Sequence, residues 1–501
     1  MEVSGQVTDG RRRLGVQDAL WLEMDKPGNL MVVDSLFWTR EPIDWEAWTA
    51  VATERLWDRF PVFRSVVVRG EDGGWWWEER SDVRFEDRQE RVVLAEPGGD
   101  AELQELIASR RTVPLDRDEP LWRAVLVDNY RGGSAVLFRA HHAIADGIRM
   151  VQLTLSVFDP GPEEAAPRPA ASVPVASGAN SPVDAAAPGG VATLAAGAVR
   201  TSARLARSAV TNPVGAAHST VTVTQSVLGS AASRARSALG RRPDLPPVLA
   251  GVPGDLDTVR KLTLGTRNDT ARWTGSVGQL KAIAWSPPIA LDDVKAVARA
   301  HAATVNDVLV TCVAQSLHDY LRRHRTVCHS VTWDVPVNLV PFDPGLPVEL
   351  GNSFALVQLE LPTHLDDPLR TLGVVRRRMG RIKAGHEAAV DYGVQALISR
   401  MSTRVYRFTV DLLANRAIGV LTDVPGPQVP LYVAGRRIEG MMGWAPTTAD
   451  QVMSFTIYSY DGKVFVGIAA DAALVPDHEQ VVDGFVDAFG RLESLTAGRS
   501  G

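Results

Sequence analysis

Hydrophobic and polar positions along this chain follow two periods, and these predict where helices and strands lie. Near the start, Trp45 to Phe60 reads as a helix stopped by Pro61, and Val62 to Val68 as a strand. Further on, ALDDVKAVARAHA follows Pro287-Pro288 and carries Asp292 and Asp293 near its start, as a helix N-terminus does. From Thr304, a single helical stripe collects Val305, Leu309, Cys312, Val313, Leu317 and Tyr320. Asp366-Asp367-Pro368 supplies an N-cap and a first-turn proline for a third helix. Strands are expected at Val331 to Val335, Ala355 to Leu361, Val452 to Tyr458 and, past the turn Asp461-Gly462, Val464 to Ala469. Helices and strands alternate at both ends of the chain, so the fold class is α/β, with mixed sheets flanked by helices.

Between these regions the pattern lapses. Residues 161–260 are dominated by Ala, Pro, Gly, Ser and Val, as in PRPAASVPVASGANSPVDAAAPGG, and read as a long linker between domains at 1–160 and 261–498. The linker is also an electrostatic outlier. No Asp or Glu occurs between Ala185 and Arg242, while Arg200, Arg204, Arg207, Arg234, Arg236, Arg241 and Arg242 do. Arg200, Arg204 and Arg207 share one side of a helix, opposite Val191, Leu194 and Leu205. Such a helix suits the surface of an anionic membrane, and a solvated disordered linker is the alternative.

Composition excludes more than it assigns. With 501 residues, 45% hydrophobic, and a net charge of -6, the chain can bury two cores and shows no basic tract for nucleic acid. Cys312 and Cys328 stand in no zinc-ligand spacing. No uncharged stretch is apolar enough to span a membrane, and MEVSGQVTDGRRRLG has no apolar signal region, so a cytoplasmic context is expected.

The strongest chemical signal lies in Ala135 to Gly147, AVLFRAHHAIADG. An apolar strand rises into two histidines, and a turn with Asp146-Gly147 leads into a helical run. Strand alternation sends His141 and His142 to opposite faces, so only one can enter a given cleft. An imidazole there can take the proton from a hydroxyl at neutral pH, whereas the plainer alternative is a buried structural pair. Asp146 is placed to hold the loop, by an ion pair or by backbone hydrogen bonds. Gly147 offers a φ other residues resist and room for a substrate.

HHAIADG fits the HHxxxDG motif of CoA-dependent acyltransferases. Pro114-Leu-Asp-Arg117 with Pro120-Leu-Trp122, Asn306-Asp307, Gly351-Asn352-Ser-Phe354, Val424-Pro-Gly-Pro427 and Ala470-Asp471…Pro476-Asp477 follow in order. Together they resemble the bacterial wax ester synthase/diacylglycerol acyltransferases. Thr422-Asp423, where that family has Ser-Asn, and Arg149-Met150 after Gly147 depart from the pattern. The resemblance implies two chloramphenicol-acetyltransferase-like domains with an active-site tunnel between them. It implies no resident cofactor, acyl-CoA being a co-substrate. His142 would deprotonate the acceptor, a hydrophobic alcohol or diacylglycerol, whose oxygen attacks the thioester directly. Peripheral association with a membrane or lipid inclusions follows from those substrates. Acylation of a carrier-bound polyketide or peptide, or a non-catalytic lipid-surface role, are the competing functions.

Asn306 sits in a helix's first turn, free to position or polarise the thioester carbonyl, while Thr304 and Asp307 form a capping-box pattern. Arg376, Arg377, Arg378, Arg381 and Lys383 are read as a solvated helix face rather than a site for CoA phosphates. Val424 to Pro427 is read as an architectural turn.

Overall fold

The computed structural model describes residues 7–8, 10–162, 273, 275–338, 346–352, 354–384 and 414–497. The expected linker, with its arginine-rich helix, lies outside the described residues, apart from Gly161 and Pro162.

The first part of the chain runs β1 (Val7–Thr8), β2 (Arg11–Arg13), α1 (Val16–Met24), β3 (Val32–Thr39), α2 (Trp45–Ala52), β4 (Ser65–Arg69), β5 (Trp75–Glu79), β6 (Gln89–Val93), α3 (Asp100–Arg111), β7 (Trp122–Tyr130), β8 (Gly133–His141) and α4 (Gly147–Ser156). The second runs β9 (Lys281–Trp285), β10 (Ile289–Ala290), α5 (Leu291–Ala300), α6 (Val305–Arg323), β11 (Ser330–Asn338), β12 (Phe354–Pro362), α7 (Pro368–Ala384), β13 (Gly419–Pro425), β14 (Tyr432–Val433), β15 (Arg436–Trp444), β16 (Met453–Tyr460), β17 (Lys463–Asp471) and α8 (Glu479–Ala497).

Three sheets result: a small one, β1-β2-β5-β4; a six-stranded one, β14-β15-β3-β8-β7-β6; and a seven-stranded one, β10-β17-β16-β13-β11-β12 with β9 also on β17. The two large sheets repeat one arrangement. In each, a hairpin (β7-β8 or β16-β17) follows a parallel neighbour (β6 or β13) and leads into a helix (α4 or α8).

Chain order and sheet membership part company at β15. It comes from the second half of the chain but pairs antiparallel with β3 of the first sheet, Gly440 opposite Trp38 and Trp444 opposite Asp34. The first core therefore includes Ile438, Met441, Met442 and Trp444 beside Leu36, Trp122 and Leu137. Val424 to Pro427 shapes the approach to this crossover. The Gly426 N–H donates to Ser459 O at 2.9 Å, and a Cβ at Gly426 would lie 2.3 Å from that oxygen, so only glycine fits.

The helix begun at Trp45 is capped by Asp44, as a helix start requires, but widens to a π-helical turn at Thr53–Trp57. Among the described residues no helix is long and apolar enough to cross a membrane.

Candidate active site

Strand β8 delivers the two histidines between its neighbours. The His141 N–H donates to Leu121 O at 2.9 Å and that of His142 to Met31 O at 2.8 Å. The strand ends at His141 and His142 begins the turn, but the side chains do diverge. His141 Nε2 lies 3.2 Å from Asp25 Oδ2, and His141 Nδ1 accepts from the Ala143 N–H at 3.0 Å. Burial pushes the Asp25 carboxyl up, but the hydrogen bond from His141, the Met31 N–H and Arg117 together hold it below its ordinary value.

His142 turns the other way, into an aromatic slot. Its ring stacks on Trp21 of α1 at 4.2 Å and lies 5.5 Å from Phe354 at the start of β12. His142 Nδ1 is 2.8 Å from Asn352 Oδ1. The Asn352 Nδ2 donates to Asp18 Oδ1 and to His142 O, both at 2.8 Å, and the Asn352 N–H also donates to Asp18 Oδ1, at 3.0 Å. His142 and Asp18 are each 6% exposed. Burial lowers the His142 pKa to about 4 against the upward pull of its hydrogen bonds, and raises that of Asp18 to about 6. The site is thus assembled from both halves of the chain: α1 and the β8 turn from the first, and 351–354 from the second.

Asp146 caps α4, its carboxylate accepting from the Arg149 N–H at 3.0 Å, and its own N–H donates to Gly351 O at 3.3 Å. Backbone hydrogen bonding, one of the two roles considered for it, is observed. Gly147 differs from expectation in one respect: it takes an ordinary helical φ, because it opens α4 rather than turning the chain. The room beside it is real, since a Cβ there would meet nothing within 4 Å.

Thr304 and Asp307 form the expected capping box, the Thr304 N–H donating to Asp307 at 2.9 Å and the Asp307 N–H to Thr304 at 3.1 Å. Asn306 is 8% exposed and its amide oxygen is buried without a hydrogen-bond partner among the described residues. Asn306 is not among the groups hydrogen-bonded to His142. In the basic cluster, Arg376 donates to the carbonyls of His301 and Ala302, and Arg378 is tied to Glu360. Arg377 and Arg381 line a groove on α7 with Arg370 and His364.

Asp18, Trp21 and Asp25 were not singled out from sequence, and Asn352 and Phe354 only as parts of a matching segment. Trp21, Asp25, Asn352 and Phe354 touch a histidine, and Asp18 reaches one through Asn352, by fold contacts that leave no local pattern.

Comparison with known proteins shows the family and the fold. A wax ester synthase/diacylglycerol acyltransferase catalytic domain matches residues 14–309, and a WS/DGAT C-terminal domain matches residues 350–493. A probable diacylglycerol O-acyltransferase of Mycobacterium tuberculosis is 26% identical over 416 residues, covering 82% of this chain and 79% of that protein. The O-acyltransferase WSD of Acinetobacter baylyi is 22% identical over 441 residues, covering 85% and 84%. Among solved structures, the wax ester synthase/diacylglycerol acyltransferase of Marinobacter aquaeolei superposes with a TM-score of 0.64 at 17% identity, covering 97% of this chain and all of that one (100%). The first condensation domain of the calcium-dependent antibiotic synthetase gives 0.55 at 15%, covering 98% and 97%. At these identities the two structures speak to the fold.

Proposed function

The chain belongs to the wax ester synthase/diacylglycerol acyltransferase family, and we propose that it esterifies diacylglycerol or a long-chain alcohol with the acyl group of acyl-CoA, using His142 as base. It is an O-acyltransferase of the CoA-dependent kind. The observation that carries the residue assignment is the contrast between the two histidines. Both His141 nitrogens are engaged, whereas among the described residues the side chain hydrogen-bonded to the His142 ring is Asn352, at Nδ1, and the ring is flanked by those of Trp21 and Phe354.

In this reading His142 Nε2 takes the proton as the acceptor oxygen bonds to the thioester carbon. The carbon–sulfur bond then breaks, and the proton passes to the departing CoA thiolate. Burial keeps the imidazole unprotonated at neutral pH, which a base needs, at the cost of driving force for proton removal. Asp146 and Gly147 shape the turn. Asn306 is the candidate to polarise the thioester carbonyl through its amide N–H groups or to position the substrate through its oxygen, which has no partner among the described residues and would accept from a substrate donor. Cys312 and Cys328 are both buried, and burial raises the Cys312 thiol far above its usual range, so neither suits an acyl-enzyme. Water-insoluble acceptors place the reaction at a lipid surface.

The test is purified full-length chain with radiolabelled palmitoyl-CoA and diacylglycerol, hexadecanol or buffer, products resolved by thin-layer chromatography. A labelled ester dependent on an acceptor supports the reading. Free fatty acid alone in all three would remove it, and a stoichiometric acyl-protein found by mass spectrometry would remove the direct transfer.

A further inference from the structure

We infer that Asp18 and Asn352 are positioning residues that decide which nitrogen of His142 carries the proton, and so make Nε2 the base. This deepens the reading of His142 given above and rests on it.

The argument is one of donors and acceptors. A side-chain amide has a donor end and an acceptor end. The Asn352 nitrogen faces two groups that only accept, an Asp18 carboxylate oxygen and the His142 carbonyl, each at 2.8 Å. Turning the amide over would set its oxygen against both and lose two buried hydrogen bonds. The Asn352 oxygen is therefore committed to His142 Nδ1, at 2.8 Å. An acceptor there requires a proton on Nδ1. In a neutral imidazole the lone pair is then on Nε2.

Asp18 supplies the bias. Its Oδ1 also accepts the backbone N–H of Asn352 at 3.0 Å, so one carboxylate grips both the loop and the amide. It does so from α1, 334 residues away in the chain.

His141 is held in the opposite sense. Its Nδ1 accepts from the Ala143 N–H, so its proton sits on Nε2 toward Asp25. Two adjacent histidines are thereby fixed in opposite tautomers, and among the described residues only the second keeps a lone pair free for a substrate. An amide between Asp18 and His142 also transmits direction without placing a carboxylate on the ring. A directly bonded carboxylate would favour the imidazolium, which is no base.

Nitrogen-15 NMR of full-length protein labelled at histidine tests this, with His142 assigned by the signals lost in His142→Gln. At pH 7, His142 should be neutral with its proton on Nδ1. Asn352→Leu should shift it toward the Nε2–H form and lower kcat on the order of 10²-fold with KM little changed. Asn352→Asp should keep the Nδ1 proton but move the acid limb of the kcat/KM profile upward. Combining it with Asp18→Asn, which restores a donor opposite the new carboxylate, should recover rate relative to Asn352→Asp alone. A wild-type His142 that is charged or carries its proton on Nε2 would overturn the inference, as would an unchanged tautomer in Asn352→Leu. If Asn352→Leu does not fold, the wild-type tautomer and the Asp18→Asn/Asn352→Asp pair decide the matter. Full turnover by His142→Gln would remove the assignment of the base and leave the tautomer measurement standing by itself.

Discussion

At the scale of single residues, the two histidines should fail in different ways when replaced. His142→Ala removes the base and should lower the rate by roughly 10²–10⁴-fold in a protein that stays folded. His141→Ala should cost less rate and more stability, about 1–3 kcal/mol, because Asp25 and the Ala143 N–H lose a partner. Thin-layer assays beside urea unfolding separate the two. Burial also gives this site a pH signature. His142 has a folded pKa of about 4 against 6.5, so the unfolded chain binds the extra proton and stability is lost as pH falls from 6.5 towards 4. Asp18 works with the opposite sign: its folded pKa of about 6 against 3.8 means the native state binds the proton and gains stability as pH falls from 6 towards 3.8. Compared with His142→Gln, the wild type should therefore lose up to about 3 kcal/mol between pH 6.5 and 4. Compared with Asp18→Asn, it should gain over a similar window. Urea midpoints at pH 7, 5.5 and 4.5 would show whether the two differences have opposite slopes.

At the scale of elements, helix starts are where local chemistry speaks most clearly. The capping box of α6 and the Asp367 cap of α7 were legible in sequence because a cap bonds to its own next few N–H groups; the Asp44 cap of α2, seen in the structure, bonds in the same local way. Asp307→Ala should cost about 1 kcal/mol, read as a shifted urea midpoint. It should also lower activity if Asn306, one residue before it, acts on the substrate. The π-helical turn after Ala52 was not legible. It carries Arg55, whose guanidinium reaches Val157 O at 3.0 Å and Asp159 at 2.8 Å. Those partners lie about a hundred residues on, so propensity at Thr53 to Trp57 could not announce them. In α7, the series of arginines read as one solvated face divides: Arg376 and Arg378 spend their guanidinium groups on neighbouring carbonyls and Glu360, while Arg377 and Arg381 stay exposed in the groove.

At the scale of the whole molecule, β15 ties the two large sheets' chain segments into one structure. Its passage depends on Gly440, where a Cβ would lie 2.2 Å from the Trp38 ring and 2.8 Å from that of Phe465. Trp38 and Phe465 come from different sheets and meet edge to face at 5.4 Å. Gly440→Ala should overpack this junction and lower stability by about 1–3 kcal/mol, with a fall in melting temperature larger than for alanine placed at the open Gly147. Equal melting temperatures for the two variants would show that the junction yields.

The sequence by itself determined the alternation of strands and helices, the caps, and a histidine pair raised on a strand before Asp146. These depend on residues within a few positions of one another, where periodicity and backbone hydrogen bonding act. It also held the ordered motifs that mark the family. Tertiary structure alone decided which sheet β15 joins, because an alternating strand buries one face without naming its partner. It alone brought Asn352 to His142 from 210 residues away and Asp18 to Asn352 from 334. A tautomer is set by the donors and acceptors that surround a ring, and here the fold gathers them from both ends of the chain.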